Sequence, residues 1–296
     1  MSSPGQPAQS SPIDWSAVFS PRSIAVAGAS NRVDTPGNDY VRSLLNCGYA
    51  GPIYPIHPRG EDVEGLKAYT SLRDIPGDIE YVISCVPTDA ALGLLEDCIV
   101  KGVKVVQLFT ARFSETGSED AAALEQTILR RAAENGIRLV GPNCMGIYDP
   151  RSGLSFRVDF EPAPGGVAFL TQSGSMAIEL VYQAYPRGVR FSRVVSYGNG
   201  LDLDAMDFLD FLAQDDATKV IAIYIEGTTD GRGLYESLRA AASRKPVIVL
   251  KGGRTEAGTR SARSHTAALA GQRRVWSTMI KQPGPSRSRA SKTSST

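Results

Sequence analysis

The sequence predicts an α/β fold of two parallel, doubly wound units in tandem, and three observations carry that prediction. Short apolar runs recur along the chain, each closing on a small or polar turn that opens a helical pattern. A Pro- and Gly-rich stretch, Pro150 to Gly166, separates an earlier set of these repeats from a later one. The 296 residues, 42% hydrophobic and with 29 Gly, suffice for two compact cores.

The elements of the first unit follow in order. Ile24 to Ala27 is a β run that closes on Gly28-Ala29-Ser30-Asn31, and Asp39 to Leu45 has helical spacing. A strand, a tight turn of small residues and a helix N-terminus suit a pyrophosphate, although neither GxGxxG nor GxxxxGK[ST] is present and a purely structural Gly turn fits equally. The second strand, Pro52 to Ile56, ends in His57-Pro58-Arg59. An NAD site would place an acidic residue there; Arg59 suits a phosphate on an adenosine ribose, which favours coenzyme A or NADP. His57, between prolines, reads as structural. Tyr81 to Cys85 ends at Val86-Pro87, with Thr88 as an N-cap for a helix Asp89 to Val100. Val103 to Phe109, a helix from Glu119 to Asn135, and Ile137 to Val140 running into Gly141-Pro142-Asn143-Cys144 complete five strands alternating with helices. Right-handed crossovers then bring Gly28, Pro87, Thr110 and Asn143 to one rim.

The second unit repeats the pattern. Val167 to Leu170 runs into Thr171-Gln172-Ser173-Gly174-Ser175 and a helix to Tyr185. Free amides and partial positive charge at that helix start would hold a phosphate or carboxylate, and a simple Ser N-cap explains the same residues. Phe191 to Ser196 leads to Gly198-Asn199-Gly200 and the helix Asp204 to Gln214. Val220 to Ile225 ends at Glu226, and Gly233 to Ser243 is a helix before the strand Val247 to Leu250. Beyond it lies Lys251 to Gly271, a basic, Gly-rich loop carrying His265, one of two histidines in the chain. Near neutral pH an unperturbed imidazole is largely neutral and nucleophilic, and a carboxylate such as Glu226 within reach would fix its tautomer.

Composition excludes several classes. Net charge is +1, but residues 272–296 hold six Lys or Arg and no acid, which leaves 26 basic against 31 acidic groups in the rest. A body of that sign is no nucleic-acid binder. No apolar run is long enough to span a bilayer, and MSSPGQPAQSSP lacks the basic start and apolar centre of a signal peptide, so the chain reads as cytoplasmic. Cys47, Cys85, Cys98 and Cys144 have no metal-ligand spacing and read as reduced thiols. The expected layout is a flexible leader 1–15, a first domain 16–150, a second 151–271 and a basic, disordered tail 272–296.

Seven motifs in order resemble the NDP-forming acyl-CoA synthetases, which include ADP-forming acetate-CoA ligases and the alpha subunit of succinyl-CoA synthetase. They are SIAVAGAS at 23–30, IHPR at 56–59, GPNCMG at 141–146, TQSGSMA at 171–177, SYGNGLDLDAMDFLDFLAQDD from Ser196, YIEGTTDGR from Tyr224 and KGGRTEAGTRSARSHTAALAG from Lys251. The resemblance implies a Rossmann-like CoA-binding domain followed by a flavodoxin-like ligase domain. It implies that Gly28, Ser30, Arg59, Pro87, Asn143 and Cys144 contact coenzyme A. It further implies that His265 is phosphorylated in the catalytic cycle, that Glu226 holds it, and that Ser173, Gly174 and Ser175 cradle the phosphate. A small carboxylic acid would be the substrate, with ATP or ADP and Mg bound only by an ATP-grasp partner of beta type. Thr266 is followed by Ala267 where the family has Gly. The family's remaining units are missing after Gly271, which implies either a separate partner chain or a truncated product, and the composition change at Gln272 points to truncation. Two other classes compete: a non-catalytic CoA-binding or regulatory module, and an NADP-dependent oxidoreductase, for which no Tyr-x-x-x-Lys pair accompanies the Gly28 turn.

Overall fold

A computed structural model describes residues 12–252. The expected leader up to residue 11, His265 with most of its loop, and the basic tail lie outside the described residues.

Strands that are apolar on both faces need cover on both sides, which a parallel sheet flanked by helices supplies. β1 (Ile24–Ala27), β3 (Tyr81–Ser84) and β4 (Val105–Leu108) are buried at every residue. With β2 (Ile53–Ile56) and β5 (Arg138–Val140) they form a parallel sheet of order β2-β1-β3-β4-β5. The direction of winding reverses between β1 and β3, so their carboxyl ends flank a crevice. Helices α2 (Pro36–Cys47), α3 (Ala91–Lys101) and α4 (Glu119–Glu134) cover the sheet. Gly48 and Gly102 end α2 and α3 in left-handed conformation, and the Ser118 hydroxyl caps α4.

Two local expectations fail here for physical reasons. Between β2 and β3 there is no α-helix, only the 3-10 turn Leu72–Asp74. Pro58, Pro76, Gly60, Gly65 and Gly77 break that segment too often for helix to propagate. Thr88 does not cap α3: a 3-10 turn, Thr88–Ala90, precedes the helix, and the Thr88 hydroxyl donates across to the Ala111 carbonyl at 2.8 Å.

The second sheet has the order β10-β9-β7-β8-β6. β7 (Val167–Thr171), β8 (Phe191–Ser196), β9 (Val220–Ile225) and β10 (Val247–Lys251) are parallel, and β6 (Gly146–Tyr148) lies antiparallel on β8. Winding again reverses between the first and third parallel strands, β7 and β9. Helices α5 (Gly174–Ala184), α6 (Ala205–Gln214) and α7 (Gly231–Arg244) follow β7, β8 and β9. Asp204 and Asp207 form a reciprocal capping box on α6, and Asp230 caps α7.

The units share packing. α1 (Trp15–Phe19) stacks Trp15 and Phe19 on Phe211 of α6, each at a centroid distance of 4.7 Å. The Pro- and Gly-rich stretch after Pro150 buries Phe160 against Tyr148 and Tyr185, with Phe156 packed on Phe160. At the junction, Gln107 ties the first sheet to the segment entering β6: Tyr81 donates to its Oε1 at 2.9 Å, and its Nε2 donates to Tyr40 and to the Met145 carbonyl. A Cβ at Gly146 would lie 2.0 Å from that amide, and φ is +82°, so only glycine fits. Among the described residues no helix is long and apolar enough to cross a membrane.

Candidate functional site

The β1 turn is built by close backbone approach. Gly28 has φ +81°, and a Cβ there would lie 2.9 Å from the Cys85 carbonyl oxygen. Across the turn, a Cβ on Gly37 would meet the Gly28 oxygen at 2.1 Å, so the first turn of α2 is pressed onto the end of β1. Thr35 makes no capping bond and Pro36 opens the helix, so the Gly37 and Asn38 amides have no intrahelical acceptor. Ser30 is half-buried; its hydroxyl accepts from the Arg32 amide and its carbonyl from Asn38 Nδ2 at 2.9 Å. Arg59 is exposed and forms a two-pronged pair with Glu61, at 2.6 and 3.2 Å. His57 is buried, with Nδ1 accepting the Arg59 amide at 3.3 Å.

The β7 turn is built from side chains. Ser173 caps α5 by accepting from the Met176 amide at 3.3 Å, and its hydroxyl lies 3.1 Å from that of Ser175. The Gly174 and Ser175 amides, at the first two positions of the helix, have no intrahelical acceptor. Gly174 lies close against Met145, where a Cβ would fall 2.8 Å from its Cγ. Glu226 follows β9 and is buried at 8% exposure. Tyr224, two residues earlier on the same face, donates to Glu226 Oε1 at 3.2 Å. Burial first, then the Glu226 carboxylate, pushes the Tyr224 phenol up to about 12. Lys251 donates to the Glu226 and Gly252 carbonyls at 2.6 and 2.5 Å; burial lowers its pKa while Glu226 opposes the fall.

Two neighbouring cavities lie at the strand ends, and the second takes in the β7 turn. One, of about 570 Å³, lies over the ends of β3 and β4 and is lined by Cys85, Pro87, Thr110, Ala111 and Arg112 among others. The other, of about 510 Å³, lies between the two units. It collects Asn143, Cys144 and Met145 from the first and Gln172 to Met176, Asn199, Tyr224 and Glu226 from the second. Phe109 and Ala111 line both. The wall is clasped by Glu115, which accepts from the Arg112 and Phe113 amides and from Asn199 Nδ2 at 2.8 Å. Holding that loop places Arg112, a non-glycine residue, at φ +76°. The Cys144 thiol is buried and turned to the Leu108 carbonyl at 3.4 Å; burial raises its pKa to about 12, so it is no nucleophile near neutral pH.

Of the residues singled out from sequence, Ser173, Gly174, Ser175, Glu226, Asn143 and Cys144 therefore meet around one cavity, and Pro87 lines its neighbour. Gly28, Ser30 and Arg59 line neither. His265 lies outside the described residues. Sequence reasoning passed over Gln172, which accepts from the Glu226 and Gly227 amides at 2.5 and 3.0 Å, and Tyr224. The two-residue spacing of Tyr224 and Glu226 at a strand end was a readable signal; the Gln172 contact, 54 residues apart, left none.

Residues 22–150 match the model of a CoA binding domain, and residues 164–292 match that of a succinyl-CoA ligase like flavodoxin domain. The chain is 40% identical over 266 residues to the ADP-forming acetate–CoA ligase II subunit alpha of Pyrococcus furiosus, covering 90% of this chain and 58% of that one. It is 35% identical to the ADP-forming 4-hydroxybutyrate–CoA ligase of Nitrosopumilus maritimus, over 91% of this chain and 39% of that one. A solved structure of dinucleotide forming acetyl-coenzyme A synthetase 1 from Ca. Korarchaeum cryptofilum, in complex with phosphate and ADP, superposes with a TM-score of 0.83 at 38% identity, over 91% of this chain and 58% of that one. The chain thus spans between about two fifths and three fifths of the length of these relatives.

Proposed function

The chain belongs to the family of NDP-forming acyl-CoA synthetases, and on that premise we propose that it is the CoA-binding, phosphohistidine-carrying part of such an enzyme. It works with a separate ATP-grasp partner, which binds ATP or ADP with Mg. The observation that carries this reading is the inter-unit cavity, where a helix N-terminus and a buried carboxylate from one unit face the strand ends of the other. The Gly28 turn, at the N-terminus of α2, suits the diphosphate of CoA; Ser30, Arg59, Pro87 and Asn143 follow strand ends of the same sheet.

The chemistry follows from leaving groups. A thiol cannot displace oxide from a carboxylate, so the carboxylate must first be activated. In the proposed cycle a carboxylate oxygen attacks the phosphorus on His265; the P–N bond breaks, imidazole leaves, and an acyl phosphate forms. The CoA sulfur then attacks the acyl carbon, the C–O bond breaks, phosphate departs, and the thiol proton passes to phosphate or solvent. Gly174 and Ser175 amides, with the Ser173 and Ser175 hydroxyls, would stabilise the phosphoryl oxygens, and Glu226 would orient the imidazole. The Cys144 thiol, buried and protonated, contributes packing beside the cavity.

Reconstitution with an ATP-grasp subunit tests the proposal. A panel of small carboxylic acids with CoA and ATP should yield acyl-CoA and ADP, and His265→Asn should abolish the product while leaving CoA binding intact. Unchanged turnover in His265→Asn would refute the phosphohistidine role.

A further inference from the structure

Gln172 connects the two strands at the switch point of the second sheet. It stands directly after β7, is 8% exposed, and its Oε1 accepts two backbone N–H groups, from Glu226 at 2.5 Å and Gly227 at 3.0 Å. A primary amide has one acceptor end and one donor end. With two donors on Oε1, the flipped rotamer would set N–H against N–H, so the amide has a single admissible orientation. Its Nε2 must therefore face away from the β9 turn.

Gln172 lines the inter-unit cavity beside Ser173, Gly174, Ser175 and Glu226. Nε2 has no acceptor among the described residues, and it is not one of the buried side-chain atoms shut off from solvent without a partner. A nine-tenths buried amide thus presents its donor end to the cavity where α5 presents open N–H groups. Donors fixed in advance by other bonds are what a low-dielectric anion site requires, because they need no reorganisation when the anion arrives. A neutral donor also adds attraction without neutralising Glu226.

We propose that Gln172 Nε2 donates a hydrogen bond to an oxygen of the phosphoryl group held at the N-terminus of α5. The proposal rests on the reading of that helix start as the phosphoryl site. The bland alternative gives Gln172 only the tie between β7 and β9.

Inorganic phosphate is the probe, titrated into the full chain and followed by phosphorus NMR, with CoA binding measured in parallel. Gln172→Glu keeps an acceptor for the two N–H groups but loses the donor; Gln172→Met, which is neutral, separates loss of the donor from added charge. Both should weaken phosphate binding at least tenfold while CoA binds as in the wild type. In wild-type chain labelled at glutamine amide nitrogen, one side-chain amide pair should shift on adding phosphate, a readout that requires no variant to fold. Phosphate affinity unchanged in either variant, or glutamine side-chain amides that stay still while phosphate binds, would overturn the role of Gln172 alone. A wild-type chain that binds CoA but no phosphate would overturn the phosphoryl site together with it.

Discussion

The two sheets share a winding pattern and differ in what stands at the point where it reverses. At β1/β3 the turn is made of backbone: a Cβ on Gly37 would run into the Gly28 oxygen, and Gly28 abuts the Cys85 carbonyl. At β7/β9 the turn is made of side chains, with Gln172, Ser173, Tyr224 and Glu226 bonded to one another or to nearby amides. Topology places both crevices, and side chains decide their use. A backbone surface can accept a cofactor phosphate without changing its charge, whereas a turn that carries a carboxylate beside a helix N-terminus can orient a reacting group.

Substitutions that exchange these properties test the contrast. The largest effect is expected from Glu226→Gln, which should slow phosphoryl transfer about 100-fold or more while CoA binding stays at the wild-type level. Single-turnover labelling and calorimetric CoA titration separate the two readouts. Next comes Gly37→Ala in the backbone-built turn. A Cβ placed 2.1 Å from a carbonyl oxygen forces the helix off the turn, which should cost about 3 kcal/mol of stability and weaken CoA binding. Denaturant melts would show it; an unaltered midpoint would mean that the α2 contact is not close.

A gain is expected at Arg112→Gly. Releasing a non-glycine residue from φ +76° should stabilise the chain by about 1 kcal/mol, read as a rise in melting temperature. The smallest effect is spectroscopic. The Tyr224 pKa is raised to about 12, so its contribution to stability is complete below the ordinary tyrosine range near 10 and is lost as pH rises through 12. Tyr224→Phe should remove that step from alkaline unfolding and one phenolate from the ultraviolet titration near pH 12. In Glu226→Gln the same phenol should titrate at lower pH, because the carboxylate that accepts its proton is gone.

Much of this architecture was legible because it is local. Apolar runs such as Ile24–Ala27 and Val220–Ile225 predict strands wherever they fall, and Ser173 before an apolar helix predicts a cap. Glu226, just past a strand, was placed on the rim by position alone. What stayed hidden depends on distant partners. β6 is three residues long and exists because β8, some fifty positions on, offers an edge. The Glu115–Asn199 clasp joins residues 84 apart. Thr88 reads as a cap until the Ala111 carbonyl claims its hydroxyl. Gln172 reads as one more polar turn residue until two amides from the β9 turn fix which end of it faces the cavity.

The most direct test of the central claim is phosphoenzyme formation by this chain. Purified protein, supplied with an acyl-CoA panel and labelled inorganic phosphate, with and without an ATP-grasp partner, is assayed beside His265→Asn and Glu226→Gln. Acid-labile label on the wild type, absent in His265→Asn and much reduced in Glu226→Gln, is the predicted result. No label on the wild type, even with a competent partner and with CoA bound, would contradict the account and leave a CoA-binding module without phosphoryl chemistry.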